Sequence, residues 1–359
     1  TDRQVSVPGI VLSMVAYGDD HLILHVLDSS TWRSRVIDYA FDSHTLNALR
    51  DSPVNQFPSF GDAGELIVTE VDGVPRTVAL FSALYAWRSQ YLANAFAYGN
   101  NYLGDITWNA AYVIEALVNF HEITGREIFQ IQLVRSIDAI LSATNAQLMP
   151  WESRVPGFLW ATRKYSMDKA APLDLLVSDS RILYALLLAA NRGLLDEKQA
   201  AAVIEIAGMC FDYFEQQFDE AAGIYRIRYG SPFWADGVWA PFNWQHAWGL
   251  VLIELYRATG EDIYRERAVA LAERFRAEWE MGADGAALWH YWPAEFYMGW
   301  EAKDGVSMNT PSWPAADDAL YEDGSHAGIS IKFLLEYRDV IGDEPFSDAD
   351  VDSIARTIE

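Results

Sequence analysis

The pattern of hydrophobic residues changes along the chain. In the first part, short runs of β-branched and apolar residues predict β-strands. These runs are Val7–Val15, His21–Leu27, Glu65–Val71 and Arg76–Phe81. The last two flank Asp72-Gly73, a dipeptide typical of a tight hairpin turn. We therefore predict that residues 1–77 form an irregular, β-containing segment, with one helix near Thr31–Ala40.

From about Val78 onward, the apolar residues recur with a helical period and one layout repeats. Each repeat has a long apolar helix, a turn with glycine, an acidic residue and a second helix. The first helices and their turn glycines are Tyr112–Ile123 with Gly125, Arg181–Ala190 with Gly193, His246–Ala258 with Gly260, and Ser330–Ile341 with Gly342. Glycine ends a helix in the left-handed conformation at little cost, so each pair should fold back antiparallel. A further pair is predicted around Val78–Ala97.

Helical pairs of this kind bury their apolar faces by packing side by side. The predicted fold class is therefore mainly α: an (α/α) toroid of about five to six helical hairpins over residues 78–359. The β-containing segment at residues 1–77 precedes it. An open helical solenoid is the alternative, but solenoid repeats are usually shorter and lack the long aromatic connectors of this chain.

Composition restricts the partners. The chain has 51 acidic and 26 basic residues and a net charge of −25, which disfavours binding to nucleic acid. Its apolar runs are too short to cross a membrane, so no membrane partner is expected. Cys210 is the single cysteine, and no motif indicates a metal ion or another cofactor. The oligomeric state stays open, and a secreted or periplasmic location is favoured over a cytoplasmic one.

Long connectors rich in aromatic residues, glycine and proline precede the first helices of the pairs. They are Met149–Pro172, Tyr225–Pro241 and Ala286–Tyr321. Because they precede the same helix of each pair, we expect them at one end of the helical layer. Flat aromatic faces stack on sugar rings, and the polar edges of Trp and Tyr bind hydroxyl groups. The connectors therefore predict a carbohydrate-binding mouth; the alternative is that the rings plug the ends of the fold.

Polar and ring-bearing residues recur where each first helix begins, and the connectors add more. The candidates for substrate binding are Trp108, Asn109, Trp160, Asp179, Arg228, Tyr229, Trp239, Trp244, Glu322 and Asp323. The catalytic candidates are Tyr291, His246, Asn243, Arg181, His290 and His326. Helix capping alone accounts for an Asp at such a position, but it does not call for histidine, arginine or tryptophan.

Two reactions fit these residue types. Proton abstraction next to a uronate carboxylate needs groups that neutralise the carboxylate and a proton-transfer pair. Here Asn243, His246 and Arg181 would hold the carboxylate, and Tyr291 would be the acid or base. Either His290 or His326 would assist. Glycoside hydrolysis by paired Asp and Glu residues is the alternative reaction, and a non-catalytic glycan-binding protein is the alternative class.

The hairpin repeat with its aromatic connectors resembles the (α/α) toroid enzymes of carbohydrate metabolism. These include polysaccharide lyases of the alginate and glucuronan type, the C-terminal domain of D-glucuronyl C5-epimerases, unsaturated-glucuronyl hydrolases and N-acylglucosamine 2-epimerases. The resemblance is architectural and covers about residues 78–359. It implies a carbohydrate substrate. Catalytic sets in the lyases combine Asn, His, Arg and Tyr, and Asn243, His246, Arg181 and Tyr291 match these in type and inferred position.

Overall fold

The computed structural model describes the backbone of strands between residues 10 and 77, and residues 100–125, 127–316 and 320–358. The chain divides into two compact units. One comprises Thr1–Asn94 and Phe120–Arg126, and the other comprises Ala95–Asn119 and Glu127–Glu359. The described part is mainly helical, which confirms the predicted fold class at that level. The helical pair predicted around Val78–Ala97 lies outside the described residues.

An antiparallel meander occupies the first unit. Its strands, in spatial order, are β1 (Ile10–Tyr17), β2 (His21–Asp28), β3 (Arg33–Ala40) and β4 (Thr45–Pro53). The helix predicted near Thr31–Ala40 is wrong, because this segment forms β3. Ile37 of β3 is opposite Leu24 on one side and Ala48 on the other. The β-branched pair Val36-Ile37 suits this central strand, and hydrogen bonds to two neighbours outweigh the local preference for a helix.

The predicted hairpin around Asp72-Gly73 is confirmed. Strands β5 (Val68–Val71) and β6 (Val74–Thr77) pair antiparallel, with Val71 opposite Val74. This register leaves a two-residue connection, the length for which Asp-Gly is the preferred turn sequence.

Four helical pairs are described, and apart from the last turns of the first helix, which fall in the first unit, they belong to the second unit. Their leading and trailing helices are α1 (Ala111–Thr124) and α2 (Glu127–Leu141), α3 (Leu176–Asn191) and α4 (Glu197–Glu215), α5 (Phe242–Thr259) and α6 (Asp262–Ala277), and α7 (Gly324–Val340) and α8 (Asp348–Ile358). A π-helical turn, Ile106–Ala110, runs into α1. The four turn glycines have positive φ angles of 64°, 67°, 71° and 140°, in chain order, as predicted for residues that end helices.

Short elements punctuate the connectors. They are the helices Asn145–Leu148 and Ala294–Tyr297, the 3₁₀ turn Ala302–Asp304, and the two-residue strands β7 (Phe218–Asp219), β8 (Ile224–Tyr225), β9 (Glu280–Met281) and β10 (Ala287–Leu288). Strand β7 pairs with β8, and β9 pairs with β10.

The leading helices supply the core. Every residue of α3 from Leu176 to Ala189 is buried, as is every residue of α5 from Phe242 to Leu255. Helix α5 packs between α3 and α7. The trailing helix α4 instead buries one stripe, Val203, Ala207, Cys210, Phe211 and Phe214, as expected of a helix with one face toward solvent. No helix within the described ranges combines the length and apolarity that a bilayer span requires.

A buried carboxylate links three of the leading helices. Glu115 of α1 pairs with Arg181 of α3 and with Lys332 of α7. Arg181 is 1% exposed, and its guanidinium lies 4.3 Å from the centre of the Tyr112 ring. The first and last of the described leading helices therefore both contact this carboxylate.

Candidate active site

A short antiparallel pairing brings the longest connector against the beginnings of two leading helices. Tyr291 N donates to Leu320 O at 3.0 Å, and Glu322 N donates to Trp289 O at 3.0 Å. Phe242 N, in the first residue of α5, donates to Tyr291 O at 3.0 Å. Because the paired segment ends next to Asp323, the N-cap of α7, it sets Tyr291 beside the first turn of that helix.

This pairing forms one wall of a cavity of about 600 Å³, which we name the aromatic cleft. Its lining residues include Trp234, Tyr291, Trp292, Phe296, Tyr297, Trp313, Tyr321, Asp323 and His326. The rings support one another: Trp292 stacks on Phe296 at 4.4 Å between centroids, and Trp234 lies 5.4 Å from Trp313. Trp234, Trp292 and Trp313 are each only partly buried. They therefore present flat apolar surface to the cleft, with polar side chains at its edge.

An aspartate–histidine pair lies at this edge. Asp323 accepts hydrogen bonds from Ser325 N and His326 N at 2.9 and 3.3 Å, and its Oδ2 lies 2.5 Å from His326 Nδ1. The hydrogen bond from the Ser325 side chain, then that from His326, holds the pKa of Asp323 well below its usual value. With Nδ1–H donating to Asp323, a neutral imidazole has Nε2 as an acceptor. No described residue hydrogen-bonds Nε2, so it can accept a substrate proton.

Tyr291 lies beside this pair. Its ring centroid is 5.2 Å from that of His326, and the planes meet at 69°. Burial, with the nearby carboxyl of Glu322, raises the pKa of Tyr291, while a hydrogen bond with Trp244 opposes the rise. The Tyr291 hydroxyl therefore keeps its proton and can act as a donor.

Glu322 points inward from the same segment. Its Oε2 accepts hydrogen bonds from Trp289 Nε1 at 2.5 Å and from Ser330 Oγ at 2.8 Å. Burial raises the pKa of Glu322 to about 7. Its neighbour Asp323 is ionised, so adjacent carboxyl groups have opposite shifts. Glu322 lines a second cavity, of about 490 Å³, which shares Tyr321 with the aromatic cleft.

His246 lies in the core, away from the cleft. Its ring is sandwiched between Phe242, at 5.6 Å, and Phe333, at 4.9 Å, and it has no exposed surface. Burial lowers the pKa of His246 to about 3, so the ring is neutral. Its Nδ1 lies 2.8 Å from Ser330 Oγ, which in turn donates to Glu322. Because Ser330 gives its hydrogen to Glu322, Nδ1–H is the donor to Ser330.

The other carboxylate-holding candidates are also enclosed. Arg181 is neutralised by Glu115. Asn243 is fully buried at the start of α5, and its side-chain amide has no hydrogen bond to a described residue. Neither side chain lines the aromatic cleft. The predicted carboxylate-binding set is therefore not assembled at the cleft.

Asp179 and Trp160 form a buried pair at the beginning of α3. Trp160 N donates to Asp179 Oδ1 at 2.9 Å, and the Trp160 indole donates to Ile140 O at 2.8 Å. Burial raises the pKa of Asp179 to about 8. Neither residue is exposed, so their contacts are those of packed core.

Three further candidates belong to the Tyr225–Pro241 connector. Arg228 pairs with Asp174 at 2.7 Å, and Tyr229 is 53% exposed. Both line a separate cavity of about 660 Å³. Trp239 lies under the Arg226 guanidinium, 3.9 Å from the ring centre. These residues lie apart from Tyr291 and His326.

The remaining candidates, His290, Trp108 and Asn109, do not line the aromatic cleft. His290 stacks on Tyr321 at 4.8 Å, with Nε2 3.2 Å from Glu280 Oε1. Trp108 and Asn109 lie in the π-helical turn, where Asn109 Nδ2 donates to Asp105 Oδ1 at 3.4 Å. Of all the predicted site residues, Tyr291, Asp323 and His326 line the aromatic cleft, with Trp244 and Glu322 adjoining Tyr291.

The predicted site residues do not include four rings of the cleft wall, although all four lie in the connectors predicted to bind carbohydrate: Trp234, Trp292, Phe296 and Trp313. One signal was available: Trp292 and Phe296 are four residues apart, a spacing that aligns side chains on a helix, and the short helix Ala294–Tyr297 forms there. Trp313 carries no such signal, because its place depends on the pairing of Trp300 with Trp313 across the connector.

Over the residues that the structure describes, no group of three His, Cys, Asp or Glu side chains is arranged to hold a metal ion. Comparison of the chain with protein-family models, with curated proteins and with solved structures gives no match.

Proposed function

We propose that this chain is a carbohydrate-active enzyme that binds a uronate-containing glycan in the aromatic cleft and abstracts the proton next to the uronate carboxylate. The proposal rests on one observation: His326, oriented by Asp323, lies beside the Tyr291 ring at the edge of the cleft, with ring centroids 5.2 Å apart. A base and a proton donor next to flat aromatic surface supply the proton transfer and the sugar binding that this reaction needs.

Binding would begin with stacking. Sugar rings would lie against the partly buried faces of Trp234, Trp292 and Trp313. Since these indoles are packed against one another and against Phe296, little side-chain freedom is lost when the glycan binds.

Proton transfer would then involve the two groups at the edge. His326 Nε2 takes the proton from C5, and the electrons of the C–H bond form a C4–C5 double bond as the C4–O bond breaks. The departing oxygen takes the proton of the Tyr291 hydroxyl, and His326 returns its proton to Tyr291. If Tyr291 instead donates to the opposite face of C5 with the C4–O bond intact, the product is the C5 epimer.

We propose in addition that the helical pairs form an (α/α) toroid. The pairing of Glu115 with both Arg181 and Lys332 supports this, because it joins the first and last described leading helices. A toroid gathers the starts of its leading helices at one mouth, where Tyr291 and His326 would act.

The test is an activity screen on uronate polymers with matched variants. The wild-type chain should generate ultraviolet absorbance from an unsaturated product, or solvent deuterium at C5. His326→Gln and Tyr291→Phe should each lower the rate at least about 100-fold while glycan binding persists. Tyr256→Phe, in the last turn of α5 and not among the residues that line the cleft, is the control and should leave the rate unchanged. Full activity of both cleft variants would refute the assignment.

Glycoside hydrolysis is the second candidate, favoured by the adjacent carboxyls of Glu322 and Asp323. Burial raises the pKa of Glu322 to about 7, as expected for a general acid, while Asp323 stays ionised. New reducing ends without ultraviolet absorbance, abolished in Glu322→Gln, would support hydrolysis. Glycan binding with no turnover of any polymer would support a non-catalytic binding protein.

A further inference from the structure

We propose that a second cavity, formed by the loop after Trp160, binds a carboxylate group of the same glycan. This inference rests on the proposed function, which requires an acidic sugar. The cavity has a volume of about 720 Å³, and we name it the basic pocket. Arg163, Lys164 and Lys169 line it, together with Tyr102 and a single carboxylate, that of Asp105.

The charge of this pocket is opposite to that of the chain. The whole chain has five lysines and a net charge of −25, yet two of the five lysines line this one cavity beside an arginine. Three cations and one carboxylate give the lining a net charge of +2. An anion is therefore attracted locally to a protein whose overall charge repels it.

No salt bridge joins these cations to a carboxylate among the described residues, although Arg163 is near enough to Glu152 to help lower its pKa. In the separate cavity lined by Arg228, by contrast, Arg226 is paired with Asp219 and Arg228 with Asp174. Arg163 lies 4.4 Å from the centre of the Tyr102 ring, and its Nε is buried with no hydrogen-bond partner in the described part of the chain. A guanidinium held against an aromatic ring and without a salt bridge is suited to a carboxylate.

The backbone holds this loop in place. Arg163 N donates to Tyr102 O at 2.8 Å, and Thr162 pairs with Leu173 across the loop. Lys169 Nζ donates to Lys164 O at 2.7 Å. The cations are thus positioned before a ligand binds, which lowers the entropy lost on binding.

Tyr165 lies near residues of both the basic pocket and the aromatic cleft. Lys164 Nζ lies 5.3 Å from the centre of the Tyr165 ring, and the Tyr165 phenol is near enough to Tyr291 to contribute to its raised pKa. A glycan with its reacting sugar at Tyr291 could extend past Tyr165 and place a carboxylate between Lys164 and Arg163. The pocket would therefore bind the carboxylate of a neighbouring sugar, a role distinct from the one predicted for Arg181, which is paired with Glu115.

The experiment compares two ligands that differ only in charge: a uronate oligosaccharide and its carboxyl-reduced, neutral counterpart. Calorimetry should show tighter binding of the acidic ligand, and raising the salt from about 0.05 M to about 0.5 M should remove the difference. The double variant Lys164→Ala/Lys169→Ala should weaken acidic-ligand binding about tenfold and leave the neutral ligand unaffected. Lys198→Ala/Lys303→Ala, which removes two lysines elsewhere, is the matched control.

The outcomes separate this inference from the proposed function. Three results would each refute the assignment of the basic pocket: equal affinity for the two ligands, no binding of the acidic ligand, or equal losses of affinity in the two double variants. Selective loss in Lys164→Ala/Lys169→Ala would support it even if no polymer were turned over. The last comparison uses an oligosaccharide that carries sulfate groups and no carboxylate. If it binds more tightly than the uronate oligosaccharide, the preferred anion is a sulfate and the carboxylate assignment fails.

Discussion

Gly249 of α5 lies directly against Phe333 of α7, and this contact gives a sharp test of the core beneath the site. A Cβ added at Gly249 would lie 2.4 Å from Phe333 Cε2 and 2.6 Å from Cδ2. An ordinary contact is at least 3.4 Å, so the helices would have to separate or Phe333 would have to move. Phe333 has no exposed surface and is stacked on His246, so it has little freedom to move.

The magnitude follows from two opposing effects. Overpacking of a closed core lowers the free energy of unfolding by about 1–3 kcal/mol, and because the Phe333 ring has little room to move, we expect about 3 kcal/mol for Gly249→Ala. Replacing glycine by alanine inside a helix returns about 1 kcal/mol. We therefore expect a net loss of about 2 kcal/mol in the free energy of unfolding. Gly208→Ala is the matched control, because Gly208 lies within α4 and an added Cβ would meet nothing within 4 Å.

Urea unfolding of both variants measures the difference. Gly208→Ala should be more stable than the wild type by about 1 kcal/mol, and Gly249→Ala less stable, with unchanged dependence on urea concentration. A Gly249→Ala protein as stable as Gly208→Ala would refute the close packing of α5 on α7. It would also remove the basis for the His246–Ser330–Glu322 hydrogen bonds, which cross the same contact.

Three other residues give independent checks. Burial raises the pKa of Asp179 from 3.8 to about 8, so the wild type is most stable with this group protonated and loses stability as the pH rises from about 4 to about 8. Asp179→Asn should remove several kcal/mol of that loss. Urea unfolding of both proteins at about pH 5 and about pH 9 measures the difference. Glu115→Gln leaves the buried Arg181 charge without its counter-ion and should lower the free energy of unfolding by about 3 kcal/mol. The double variant with Arg181→Met should recover much of this loss. Equal stability of Glu115→Gln and wild type would contradict the buried pairing. Cys210 is buried in α4, and burial raises its thiol pKa, so a thiol reagent should label it only after unfolding.

The sequence by itself determined the local features of this protein. Gly125, Gly193, Gly260 and Gly342 end the leading helices, because the backbone angle needed there depends on the residue at that position. The Asp72-Gly73 dipeptide likewise predicted the pairing of β5 with β6. The apolar periodicity also located the leading helices, with starts that differ from the observed ones by one to six residues, because a helical period of hydrophobic residues depends only on the local sequence.

Only the tertiary structure decided which polar side chains face a cavity. His246 and His326 both lie near the start of a leading helix, and the sequence treats them alike. Helix α5 lies between α3 and α7, so His246 is enclosed by Phe242 and Phe333, whereas His326 lies at the edge of the aromatic cleft. The same limit applies to Arg33–Ala40, where pairing with two neighbouring strands overrode the predicted helix. Burial and pairing depend on residues distant in the chain, and no local pattern encodes which neighbours those will be.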